Sequence, residues 1–93
     1  MEHRQEDFSV YHRGELRETL IMIEGDDGAF ELLAHGSFPH AGREIDWASV
    51  RSSNSDAEYL LIHDARRRAE GATTSWHPAT DEERALVRRA MLK

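Results

Sequence analysis

Leu16-Arg-Glu-Thr-Leu-Ile-Met-Ile-Glu24, followed by Gly25-Asp-Asp-Gly28 and then Ala29-Phe-Glu-Leu-Leu-Ala-His35, is the stretch on which the fold turns. Two apolar-rich runs flank a Gly/Asp turn, the strongest short-range signal for a β-hairpin. Side chains alternate with period two along a strand, so a loop over residues 25–28 pairs Ile23 with Phe30, Ile21 with Leu32 and Thr19 with Ala34 on one apolar face. The same register sets Met22 beside Glu31, Leu20 beside Leu33 and Glu18 beside His35. A tighter turn at Asp27-Gly28 would place Glu24 against Glu31, and facing like charges are unfavourable. Leu20-Ile-Met-Ile23 is apolar on both faces, as in a central strand covered on each side.

Upstream, Phe8-Ser-Val-Tyr-His12 alternates as a short half-buried strand, and Arg13-Gly14-Glu15 is a turn into the hairpin. So short a connection allows no parallel crossover, so these three strands form an antiparallel meander. Residues 1–6 are polar and expected to fray. Downstream, Gly36-Ser-Phe-Pro-His-Ala-Gly42 reads as a loop. Glu44-Ile-Asp-Trp-Ala-Ser-Val50 reads as a fourth strand with Ile45 and Trp47 facing in, although Val50 then falls out of phase; a single helical turn is the alternative.

Ser55 with Glu58 has the form of a capping box, opening a helix that Gly71 ends. On it Ala57, Tyr59, Leu61, Ile62, Ala65 and Ala69 share one arc, with Leu60 misplaced among polar residues; Glu58-Tyr-Leu-Leu-Ile-His63 also fits a strand. Gly71-Ala-Thr-Thr-Ser-Trp-His-Pro78 is a linker, and Thr80 with Glu83 is a second capping box. The helix it opens has acids in its first turn and Arg88, Arg89 and Lys93 toward its end, matching the helix dipole. Leu86, Val87, Ala90 and Met91 form its expected buried stripe, leaving Arg84, Arg88 and Arg89 outward. The expected architecture is α+β: an antiparallel three- or four-stranded meander with two helices packed on one face, in a single domain over residues 1–93.

Ninety-three residues bury one modest core. The absence of cysteine removes disulfides, thiolate metal sites and cysteine nucleophiles. No apolar run approaches the ~20 residues that span a bilayer, and residues 1–7 lack the apolar core of a signal peptide, so the expectation is a cytoplasmic protein without membrane contact. The net charge of −6 is uneven: residues 1–58 carry thirteen acids and five bases, residues 59–93 five acids and seven bases. Eleven of the twelve bases are Arg, whose planar, multi-donor head suits interfaces.

Six histidines raise the question of metal, with His35 and His40 straddling the proline loop and His63-Asp64 and His77 elsewhere. No His-Glu-x-x-His or Cys/His spacing is present, so neither metal nor cofactor is expected. Glu18, Glu24 and Glu31 would share one sheet face, where carboxylates ordinarily serve solvation rather than acid–base chemistry. There is no Gly-x-Ser-x-Gly elbow, phosphate-cradling loop or dinucleotide fingerprint, so no enzymatic activity is expected. Gly25-Asp-Asp-Gly28 has the composition of half a calcium loop without its twelve-residue spacing.

Arg66-Arg67-Arg68 and the Arg84, Arg88, Arg89 ridge favour nucleic acid, but net acidity repels phosphate and no helix-turn-helix spacing appears. Ahead of it stands a non-catalytic protein-binding module, an adaptor or inhibitor acting on a larger complex or on itself as a homodimer. Its expected contact residues are Trp47, Arg67, Trp76, Arg84, Arg88 and Arg89, the residue types that anchor interfaces. A phage-encoded or defence-related inhibitor fits by size and class alone.

Overall fold

The computed structural model describes residues 10–64, 70–71 and 74–92, with backbone alone at Val10 and Tyr11. Val10–Glu24 is an α-helix, α1, which corrects both the expected strand over residues 16–24 and the C-terminal part of that over 8–12; Phe8 and Ser9, like residues 1–6, lie outside the described residues. The hairpin pairing of Ile23 with Phe30, Ile21 with Leu32 and Thr19 with Ala34 falls with it. The physical reason lies in which side chains are buried. Glu15, Leu16, Thr19 and Leu20 go inside, at the i, i+1, i+4, i+5 positions of one helical face, while Met22 and Ile23 of the apolar run stay exposed. Two of the four buried positions are polar, and that masks the 3.6-residue period. The Thr19 hydroxyl donates back to the Glu15 carbonyl at 2.8 Å, satisfying itself within the helix.

Gly25 ends α1 in the left-handed region, φ 79°, its N–H donating to the Ile21 carbonyl at 2.7 Å. Asp26 and Asp27 then each accept a backbone N–H two residues on, from Gly28 at 3.2 Å and Ala29 at 3.1 Å, so Gly25–Gly28 is a turn built on aspartate side chains.

The strands are β1 (Phe30–His40), β2 (Arg43–Ser52), β3 (Glu58–His63) and β4 (Trp76–Pro78), in the order β1-β2-β3-β4 with every described pair antiparallel. The α+β class and the antiparallel four-stranded meander are therefore as expected, although different segments build them. The expected loop over residues 36–42 is instead the end of β1, and the chain reverses at Ala41 and Gly42, whose φ values of 55° and 78° are those of a two-residue type I′ hairpin turn. The strand over 44–50 stands. The expected helix from residue 55 is β3 as far as residue 63, with 65–69 outside the described residues. Ser55 caps a turn instead, its hydroxyl accepting the Ala57 N–H at 3.3 Å.

Pairing Ala48 with Leu61 and Trp47 with Ile62 assigns the sheet's two faces. Ala48, Val50, Leu61 and Trp76 pack with Leu16 and Leu20 of α1. Ile45, Trp47, Ile62 and Phe38 pack with Val87 of the second helix, α2 (Asp81–Met91). Successive strand residues point to opposite sides, so each helix covers its own face, where a shared face was expected. Both faces being covered explains why Trp47-Ala48 and Tyr59–Ile62 carry apolar side chains on both sides of the sheet, and why Val50 and Leu60 fit no one-sided pattern. The register shift between Leu32 and Ala34 moves β1 from one face to the other: Leu32 opposes Val50, Ala34 opposes Ser49. On the α2 side Trp47 lies over Gly36, where a Cβ would stand 3.1 Å from the indole.

The last helix is as read from the sequence. Thr80 Oγ1 accepts the Glu83 N–H at 3.2 Å and the Glu83 carboxylate accepts the Thr80 N–H at 2.9 Å, the two halves of a capping box. Val87 is buried and Leu86 and Ala90 partly so, but Met91, expected inside, is 63% exposed. Among the described residues α1 and α2 are the two helices, and neither is long and apolar enough to cross a membrane.

Candidate functional site

The expected contact residues separate into two groups. Trp76 and Trp47 are 1% and 7% exposed and fill the α1-side and α2-side cores, so neither meets a partner unless the core opens. Arg84, Arg88 and Arg89 all lie on the exposed part of α2, and none forms an ion pair with a described residue. Arg67 is outside the described residues. At 100° per residue Arg84, Arg88 and Met91 align along one stripe, with Leu92, 81% exposed, beside its end.

His35 and His40 are on opposite faces of β1, opposing Ala48 and Arg43 respectively, so the loop pair suggested by sequence does not converge. Glu18 and Glu24 belong to α1 and Glu31 to β1, so the three carboxylates share no sheet face.

A different polar group does converge. His12 and Glu15, one helical turn apart on α1, meet His63 at the end of β3, and one potential ligand atom from each lies within 4.8 Å of the others. The His12 and His63 ring centroids are 5.4 Å apart, and Trp76 meets both rings edge-on, at 5.7 Å and 5.0 Å. Glu15 is only 4% exposed. Burial holds the His63 pKa below that of a free imidazole, with the charge of His12 adding to the effect; Asp46, Glu15 and Asp64 pull the other way. Trp76 is itself fixed: its backbone N–H donates to the Thr74 hydroxyl at 3.2 Å, and Thr74 is hydrogen-bonded to Thr19 of α1 at 3.1 Å. In the sequence, His12 and Glu15 are visible as a ligand pair only once α1 is known to be a helix, and no local signal ties them to His63.

A second polar knot locks the end of α1. Glu24 accepts hydroxyls from Ser52 at 2.8 Å, Ser55 at 2.7 Å and Tyr59 at 2.5 Å, and these bonds, Tyr59 first, hold its carboxyl below the usual range. A carboxylate at a helix C-terminus opposes the dipole, and the three donors offset that. On the α2 side an open cleft of ≈ 550 Å³ runs between Phe38, His40, Arg43 and the start of α2. Arg43 and Asp64 are 3.7 Å apart at its rim, and His77 Nε2 meets Glu83 at 3.1 Å nearby.

Compared with protein-family models, curated proteins and solved structures, the chain gives no match in any of the three.

Proposed function

We propose that this chain is a small, non-catalytic protein-binding module of the cytoplasm, an adaptor or inhibitor that docks on a larger protein through α2. The observation that carries this reading is the Arg84–Arg88–Met91 stripe with Leu92 at its end: exposed guanidinium groups without ion pairs among the described residues, bordered by exposed apolar side chains. Arg and Met are enriched, and Lys depleted, where protein surfaces meet. The stripe fits an acidic partner surface with an apolar pocket. A second copy of this chain supplies acid in quantity, since its first 58 residues carry thirteen acids, so a homodimer is the nearest alternative occupant. Nucleic acid ranks behind, because a net charge of −6 opposes a phosphate backbone.

The test compares the tagged full chain with its Arg84→Glu/Arg88→Glu variant. Capture of a stoichiometric protein by the parent and its loss in the variant, with melting within ~4 °C, supports docking through α2. Capture that persists in the variant overturns it. A parent dimer in light scattering that becomes monomeric in the variant identifies the partner as a second copy. Binding to DNA that weakens steeply with salt would transfer the same arginines to nucleic acid.

A further inference from the structure

We propose that His12, Glu15 and His63 bind a divalent transition-metal ion of the zinc type. Two imidazoles and one carboxylate are a recurrent zinc ligand set that leaves one coordination position open. Here the three come from two elements, α1 and the end of β3, which packing of Leu16 and Leu20 against Leu61 holds in place. Donors about 2.0–2.1 Å from a zinc ion stand roughly 3.3 Å apart in a tetrahedron. The three donor atoms lie within 4.8 Å of one another, so binding draws them together by at most about 1.5 Å.

The surroundings favour a cation. Glu15 is nearly sealed from water, with its carboxylate beside the two imidazoles. Asp46 and Asp64 add to the negative field at His63. Trp76 walls both rings from the core side, restricting their planes.

Zinc chloride titrated calorimetrically into the full chain, previously stripped with a chelator, should give one ion per chain. His63→Gln and Glu15→Gln should each weaken it at least tenfold, in line with loss of a ligand, while His40→Gln, on the opposite face of the sheet, leaves it unchanged. Circular dichroism of each variant checks folding. A measurement on the parent chain alone guards against misfolding: zinc should shield His12 and His63 from diethyl pyrocarbonate while His40 continues to react. Failure of the parent to bind zinc, binding indifferent to both His63→Gln and Glu15→Gln, or protection of His40 rather than His12 and His63 would each overturn the assignment.

Discussion

Gly25 and Gly28 share a backbone conformation and differ in the space around them, which makes them a paired test of the α1 assignment. Their φ values are 79° and 73°, so an alanine at either meets the ~1–2 kcal/mol left-handed penalty of an L-residue. Restricting the unfolded chain returns ~0.4–1 kcal/mol in both cases. Gly25→Ala should therefore cost between about 0 and 1.6 kcal/mol, because nothing lies within 4 Å of its added Cβ. At Gly28 the same Cβ would stand 2.6 Å from the Arg17 carbonyl oxygen and 2.8 Å from Ile21 Cγ1. The carbonyl belongs to the helix backbone and cannot rotate away, so an overpacking cost of ~1–3 kcal/mol is added. With ~4–8 °C per kcal/mol in a domain of this size, Gly28→Ala should melt roughly 4–24 °C below Gly25→Ala. Thermal melts of the two variants by far-ultraviolet circular dichroism measure the difference directly. If residues 16–24 were one arm of a hairpin, both glycines would sit in a solvent loop. Equal melting temperatures would refute the packing of this turn against α1.

Ala41 occupies the first central position of a type I′ turn at φ 55°, where Asn is favoured, so Ala41→Asn should raise the melting temperature by several degrees, about 1 kcal/mol; an unchanged or lower value contradicts the turn assignment. Acid should loosen the α1 terminus: a carboxyl whose folded pKa lies below its unfolded value contributes its full stabilisation above the unfolded pKa and loses it as pH falls through the folded one. Melting temperature should therefore fall as pH drops below about 4.5, the ordinary value for Glu24, and Glu24→Gln should flatten that part of the profile; a parallel profile in the variant would place the acid sensitivity elsewhere.

The legible parts of the sequence were those whose signal is local. Thr80 and Glu83 announce a helix whose cap needs only residues three apart, and that box is present. Ile45 and Trp47 alternate within one strand and pack together. The failures came from tertiary context. Leu20-Ile-Met-Ile23 resembles a strand because apolar residues are consecutive, but Met22 and Ile23 are left exposed while Glu15 and Thr19 go inside. Ser55 with Glu58 fulfils a capping pattern, yet the Ser55 hydroxyl is spent on a turn and on Glu24, thirty-one positions away. Tyr59-Leu-Leu-Ile62 offers no period because helices cover the sheet on both sides. Trp47 and Trp76, read as interface anchors from residue type alone, complete the two cores.

The residues that hid α1 also assemble the polar cluster, and the two facts have one cause. A helix that served only to cover a sheet would carry apolar side chains at positions 12, 15 and 19 as well as at Leu16 and Leu20, and its period would then be plain. Here His12, Glu15 and Thr19 occupy that face. Thr19 reaches Thr74, which positions Trp76; His12 and Glu15 reach His63. Enclosing a carboxylate and imidazoles where aliphatic groups would pack is unfavourable for folding on its own. Such departures from local consistency concentrate where a chain does something besides fold. The cluster under Trp76 is such a departure: buried polar groups stand on the face that covers the sheet, whereas the arginines of α2 are exposed.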